Sequence, residues 1–332
     1  MRKTSRNLAG PVAVALFGAL AWSHAGAAAA DERVQTVAAA PQAGATAAPD
    51  GVWESTRASA RRTALWLARG VDSWFGDRPF EDGGRITNGR LSVGLLKRQD
   101  ESADFGLRFN ANFRLPNLGD QTYLFVGRDN QRDIVTDKPG AFSRQDRLRT
   151  ASEDDRSFFA GLGLLLHENI DFRLGFRGGL KPYAQARYRQ PWELGPADLV
   201  EFRQTLFWTL DDRLGSTTAL SYERALTPML AARWLNALTI SQQSRRFEWA
   251  SSLGAYQSFG GQRLLSLEAL ASGKQGSGVG ISDYGLLLKW EQPVHLDWVL
   301  GQLVVGHFWP RKDAASDRGR AWALGGSVTV RF

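Results

Sequence analysis

From Arg90 to Phe332 apolar and polar residues alternate with a period of two. In "DFGLRFNANFRLP", Phe105, Leu107, Phe109, Ala111, Phe113 and Leu115 share one side, while Asp104, Gly106, Arg108, Asn110, Asn112 and Arg114 share the other. That pattern predicts a strand with one dry face and one wet face. It recurs in "DFRLGFR" at Phe172, Leu174 and Phe176, in "VEFRQTLFWTL" at Val200, Phe202, Leu206 and Trp208, and in "DYGLLLKWEQ" at Tyr284, Leu286, Leu288 and Trp290. Segments of this kind fall near 90–98, 103–115, 121–128, 157–167, 170–180, 182–190, 199–210, 215–226, 230–241, 246–259, 263–273, 283–293, 297–309 and 320–332. Most run about nine to twelve residues, the length a tilted strand needs to cross a bilayer. The faces near 121–128, 230–241 and 297–309 stay ambiguous, because apolar residues occupy both parities there.

The connectors alternate as well. "PNLGD", "HEN", "LTP" and "FGGQ" read as tight turns, whereas residues 129–156, "SGKQGSGVGIS" and "PRKDAASDRGR" read as long polar loops. Short turns on one side and long loops on the other fit a membrane barrel. A soluble sandwich would use shorter strands, about five to six residues, with its dry faces turned toward each other. Trp192, Trp208, Trp249, Trp290, Trp298, Trp309 and Trp322 sit near predicted strand ends, where interfacial girdles belong. The expected fold is therefore all-β: a transmembrane antiparallel up-and-down β-barrel of about 14 strands, with roughly 12 to 16 compatible with the pattern.

Ahead of the barrel the patterning changes three times. Residues 1–30 have a basic start (Arg2, Lys3, Arg6), an apolar run through Trp22 and small residues, with cleavage expected after Ala25 or Ala30. This predicts a secretory signal peptide. Residues 31–51 are rich in Ala, Pro, Thr and Gly without periodicity and predict a disordered lead-in. Residues 52–84 hold an amphipathic helix and a linker: Ala64, Leu65, Ala68 and Val71 lie at helical spacing, flanked by Arg57, Arg61, Arg62 and Arg69. The helix either packs on the barrel or acts as a plug or lid through Arg57, Arg61, Arg62, Leu65 and Arg69. Residues 85–332 form the barrel.

Composition narrows the reading. The chain has no cysteine, which excludes a disulfide framework and lipid attachment through a thiol. Loss of the signal segment removes three positive charges and no negative one, so the formal charge of +7 falls to +4. Basic residues are interleaved with 34 acids, and no basic run with stacking aromatics appears, which argues against nucleic acid.

The signal segment, the alternating connectors and a last amphipathic strand ending at Phe332 together resemble Gram-negative outer-membrane β-barrel proteins of the porin type. The segment "WLARGVDSWFGD" is similar to parts of uncharacterised proteobacterial barrels. The resemblance implies residence in the outer membrane, contact with lipid and lipopolysaccharide, and delivery by the barrel-assembly machinery. That machinery would read Val328, Val330 and Phe332 as its signal.

With polar faces turned inward, the lumen is expected to have a basic wall of Arg108, Arg114, Arg173, Arg177, Arg187, Arg189 and Arg203. An acidic wall of Glu223, Glu248, Glu268 and Glu291 would face it, with Lys289 as the exception. Opposed charges across a narrow lumen select polar over apolar solutes. Arg173, Arg177, Arg187 and Arg189 could form a ladder for carboxylates, which guanidinium groups bind in a fork. The expected function is a channel for passive or weakly selective diffusion of small polar, in particular anionic, solutes. The alternatives are a plugged structural, adhesive or assembly barrel and, last, a lipase or protease barrel. An enzyme would need a histidine with a nucleophile or acid in reach, and only His167, His295 and His307 follow the signal segment. Neither Ser251 nor Asp317 is tied to them by spacing. "SEDD" at 152–155 reads as a solvated loop rather than a cation site, and no cofactor or metal is predicted.

Overall fold

The structure is a computed structural model and describes residues 50–72, 83–99, 103–119, 121–137, 156–276, 278–294, 296–311 and 313–332. The signal segment, nearly all of the lead-in, the linker at 73–82, the "SEDD" stretch and His295 lie outside the described residues. The alternating segments form fourteen strands: β1 (Arg85–Arg98), β2 (Ala103–Arg114), β3 (Thr122–Asn130), β4 (Arg156–His167), β5 (Ile170–Arg177), β6 (Lys181–Gly195), β7 (Asp198–Thr209), β8 (Arg213–Thr227), β9 (Leu230–Ser241), β10 (Glu248–Ser258), β11 (Leu264–Lys274), β12 (Asp283–Pro293), β13 (Val299–Phe308) and β14 (Ala321–Arg331). Each strand pairs antiparallel with its neighbours in chain order, and β14 returns to β1 to close the barrel. The up-and-down β-barrel and its strand count match the expectation.

One parity of every strand points outward and is apolar. Phe105 is 67% exposed, Leu174 66%, Leu303 60% and Leu324 62%, and all four belong to the same continuous outer surface. A water-soluble protein rarely exposes so wide an apolar surface. In a bilayer it is the face that lipid covers. Outward-facing Trp208, Trp249 and Trp322 lie toward one rim, with Trp309 just beyond β13, while Trp192, Trp290 and Trp298 lie at or near the other. These two belts sit where interfacial aromatics anchor a barrel.

The rim at which β1 begins and β14 ends is called here the near rim. Its connections are all short, the longest being that across 115–121, followed by 259–263 and 294–298. The long connections, 131–155, 275–282 and 309–320, all lie at the far rim, but so do the tight turns 178–180 and 210–212. The three long loops and the four tight turns read from the sequence thus sort to opposite rims as expected, while the turns 178–180 and 210–212 share the far rim with the long loops.

Closure at the near rim depends on Phe332 and on the missing side chain of Gly89. Phe332 N–H donates to the Gly89 carbonyl at 3.1 Å, and the Phe332 ring stacks on Phe109 with centroids 6.2 Å apart. A Cβ on Gly89 would stand 2.6 Å from that ring.

The helix α1 (Asp50–Asp72) does not enter the lumen. Ala64 and Ala68, fully buried, pack with Ala111, Phe113, Leu115 and Leu124, with Phe332 at the edge of the same cluster. These strand residues share the parity of exposed Phe105 and Leu107, so α1 lies on the outer face, across the β14–β1 seam. Arg57 stacks over Trp298 at 4.7 Å, and Asp72 accepts from Asn117 Nδ2 at 2.9 Å. Of the two expectations for this helix, packing on the barrel is the one observed, and the plug is corrected: Arg61 and Arg62 are exposed outside the barrel. The physical reason is the flat Ala64/Ala68 stripe, which lets a helix approach an apolar strand surface closely.

The lumen has two unlike halves. From β8 to β14 its inward positions include an apolar cluster of Ala219, Leu235, Ala237, Leu270, Leu287, Phe308 and Ala323. From β2 to β7 they carry the arginines, together with an aromatic layer of Phe125, Phe159, Tyr183 and Phe207. Two of these rings, and Tyr123 packed beside them, lie over a glycine directly across the ladder: Phe125 over Gly161, Phe207 over Gly215 and Tyr123 over Gly163. The missing Cβ lets each ring lie against the wall. A short helix, α2 (Gln131–Thr136), follows β3 and turns inward, and its Val135 is buried in the aromatic layer.

Candidate functional site

Between the aromatic layer and the near rim, residues of β1 to β7 enclose a cavity of about 420 Å³. Arg114, Arg173, Arg187, Arg189 and Arg203 line it with Tyr123, Asn112 and Thr122, against the carboxylates of Glu168 and Asp171. Strand parity brings these arginines to one place: each is an inward position of β2, β5, β6 or β7, and consecutive strands are neighbours.

Arg189 and Arg203 stand directly opposite in the β6–β7 register. Like charges in that position repel, and each is held by a separate acid. Arg189 pairs with Glu201, and Arg203 Nε lies 3.4 Å from Asp137 Oδ2. Arg187 donates from Nη2 to Asp171 Oδ2 at 2.6 Å and from Nη1 to Asp137 Oδ1 at 3.0 Å. Asp171 also accepts from the Tyr123 hydroxyl at 2.7 Å, which in turn accepts from Arg173 Nε at 2.8 Å. Arg173 further lies over the Tyr123 and Phe125 rings at 5.7 and 5.6 Å. The guanidinium groups are therefore fixed in orientation, which favours planar recognition of carboxylates.

Asp137 is the third partner in this network. Its carboxylate takes Arg187, Arg203 and the Thr205 hydroxyl, the last at 2.9 Å. Its backbone is in the left-handed region, with φ of 52°, which asparagine and aspartate tolerate best. Above it, Gln185 Nε2 donates to the Ile134 and Val135 carbonyls at 3.1 and 2.9 Å.

All seven residues of the basic set occupy inward positions, but two lie away from the cavity. Arg108 is higher on β2, and Arg177, near the far rim, pairs with Asp211 in the β7–β8 turn at 2.9 Å. The four glutamates of the other set also point inward, yet each has a close partner. Glu223 pairs with Arg233 at 2.9 Å, Glu248 with Lys274 at 2.7 Å and Glu291 with Lys289 at 3.1 Å, while Glu268 accepts from the Tyr256 hydroxyl at 2.9 Å. Three of the four glutamates are thus neutralised by a cation beside them and Glu268 is held by a neutral hydroxyl, so the picture of a continuous acidic wall facing a basic one is corrected. The reason is register: Glu223 faces Arg233 and Glu248 faces Lys274 as direct cross-strand partners.

Sequence reasoning missed Asp137, Gln185 and the counter-ions Arg233 and Lys274. "DIVTD" at 133–137 offered one signal, an apolar pair inside a long polar loop. His307 faces outward, its ring edge-on to Trp309 and Trp322 at 4.2 and 4.0 Å. Ser251 is also outward and accepts from Trp234 Nε1 at 3.2 Å. The structure joins neither Ser251 nor Asp317 to a histidine among the described residues.

No family model and no curated protein matches the chain. Similar solved structures include the KdgM porin, at 7% identity and a TM-score of 0.36 over 73% of this chain and 99% of that one. The outer membrane channel DcaP of Acinetobacter baumannii is 7% identical with a TM-score of 0.44, over 75% of this chain and 98% of that one. OccK11 (OpdR) of Pseudomonas aeruginosa is 12% identical with a TM-score of 0.41, over 75% of this chain and 96% of that one. At these identities and TM-scores the likeness carries no conclusion about this chain, whose closed fourteen-stranded barrel stands on its own strand pairing.

Proposed function

We propose that the protein is an outer-membrane channel for passive diffusion of small polar solutes, with a preference for anionic ones. The observation that carries this reading is the cavity at the near rim, where five arginines meet two carboxylates. In this reading the near rim faces the periplasm, Val328, Val330 and Phe332 address the barrel-assembly machinery, and the outer face meets lipid and lipopolysaccharide. No catalytic role is assigned, and His307, edge-on between two tryptophans, serves the outer belt.

Planar-bilayer conductance with reversal potentials under a salt gradient tests the proposal. Wild-type protein should conduct with anion preference, and Arg173→Ala combined with Arg187→Ala should weaken that preference. Absent conductance, or cation preference indifferent to the double substitution, would remove the reading. A sealed structural barrel is the second reading, favoured by the apolar cluster around Leu287 and by α2 inside the lumen. Zero conductance in a correctly folded barrel would select it.

A further inference from the structure

We propose that Arg187, Arg203 and Thr205 form a binding site for a solute carboxylate, and that the chain's own Asp137 fills this site until such a solute displaces it. The inference rests on the channel reading and adds regulation to the same cavity. Three donors from two adjacent strands converge on one carboxylate: Arg187 Nη1 at 3.0 Å, Thr205 Oγ1 at 2.9 Å and Arg203 Nε at 3.4 Å. Such an arrangement of charged and neutral donors is what an organic carboxylate needs. Arg187 is held in place independently, because its other nitrogen is bound to Asp171. The site therefore keeps its shape when Asp137 leaves.

Access comes from the opposite side to the helix. Arg187 and Arg203 line the cavity that reaches toward the near rim, whereas Asp137 arrives from the far rim immediately after α2. A carboxylate solute in the cavity and Asp137 compete for the same two guanidinium groups. Gln185 holds α2 by two hydrogen bonds, and Val135 and Thr136 of the helix are buried, so the charged contact of Asp137 is the part of this anchorage that a solute carboxylate can replace. Losing the charged contact frees the helix to withdraw and widens the lumen. A neutral solute of equal size has no means of doing this. The ligand class is thus a small organic carboxylate.

The test uses the full-length barrel with gluconate as the carboxylate probe and glucose as its neutral counterpart. The chain has no cysteine, so Val135→Cys supplies a single reporter. Val135 is 1% exposed, and a bulky maleimide should label the cysteine slowly at rest. Millimolar gluconate, but not glucose, should speed labelling about tenfold, the factor expected for losing a charge-assisted contact. Adding Asp137→Asn should give the fast rate without gluconate and abolish the response. In bilayers the Asp137→Asn channel should be open more often than wild type. Equal labelling rates in gluconate and glucose, together with an Asp137→Asn rate equal to wild type, would overturn the proposal. Heat-modifiable mobility on gels confirms that each variant is a folded barrel. The labelling result stands apart from the conductance reading: an anion-selective wild type with an unchanged Asp137→Asn loses the latch alone. A non-conducting wild type whose Val135→Cys responds to gluconate loses the channel alone.

Discussion

The two halves of the lumen are built from the same strand geometry and do different things with it. Around β2 to β7 the inward side chains are arginines and aromatic rings, and a cavity remains. Around β8 to β14 they include Leu235, Leu270, Leu287 and Phe308, which pack on one another, and the charges beside them are paired across the ladder. The second half buries an apolar cluster as a hydrophobic core does. The first half keeps fixed charges facing open space, at a cost in stability that the second half offsets.

A new carboxylate in each half should separate them most sharply. Leu287→Asp places a carboxylate at a position 1% exposed, beside the apolar cluster and directly across the ladder from the buried Glu268, and should cost at least about 4 kcal/mol. Asn112→Asp places the same group beside the cavity arginines and should cost under about 1 kcal/mol. Heat-modifiable gel mobility against temperature compares the two. Equal losses would mean that the halves are not distinct.

The aromatic layer is the next boundary. Gly163→Ala puts a Cβ about 2.1 Å from the Tyr123 ring, and the nearest atoms it meets all belong to that ring, so the ring must move. Tyr123 then loses its hydrogen bonds to Asp171 and Arg173. The expected loss is about 2 kcal/mol, accompanied by a reversal potential shifted toward zero. A stable variant with unchanged selectivity would show that Tyr123 does not position the arginines.

Much of this was legible in the sequence, for a physical reason: a strand with lipid on one side and water on the other must alternate. The rhythm located all fourteen strands and put every residue of both charged sets on an inward face. It failed where the constraint weakens. In "VLGQLVVGHF" both faces are apolar, because the lumen side of β13 packs against the core cluster through Val304 and Phe308, and Leu300 is buried on the same side. Hence the ambiguity over His307. Pairings such as Glu248 with Lys274 depend on cross-strand register, which period two alone does not give. The position of α1 was also hidden, since an amphipathic helix can satisfy its apolar face inside a barrel or against its outer wall. Likewise, Asp137 became part of the site only because its loop turns inward.

The outer position of α1 has its own consequence. Ala68→Glu puts a charge on the buried stripe, yet the helix can swing away from the wall, so the loss should stay near 1–2 kcal/mol. Because α1 clasps the seam rather than blocking the lumen, conductance of the folded variant should match wild type. A large change in conductance would place the helix's influence inside the barrel after all.

The smallest effect is expected from the loop that most resembles the α2 loop in length and position. The β13–β14 connection at the far rim bonds chiefly to itself and to the rim: Ser316 N–H donates to Asp313 Oδ1 at 2.6 Å, Arg311 Nη2 to the Ala314 carbonyl at 2.7 Å, and Arg318 Nη1 to the Trp309 carbonyl at 2.6 Å. The Ser316 backbone N–H, followed by its hydroxyl, holds the Asp313 carboxyl below the ordinary carboxylate range. A lowered folded value means that the turn's stabilisation is present above the unfolded value, near 4, and is lost as pH falls through the lower folded one. An NMR titration should therefore place the Asp313 midpoint below that of a peptide carrying the same loop. A midpoint at or above the peptide's would show the turn absent in solution. At neutral pH, Asp313→Asn should leave conductance unchanged, because this carboxylate holds a turn at the rim, whereas Asp137 holds a helix inside the lumen.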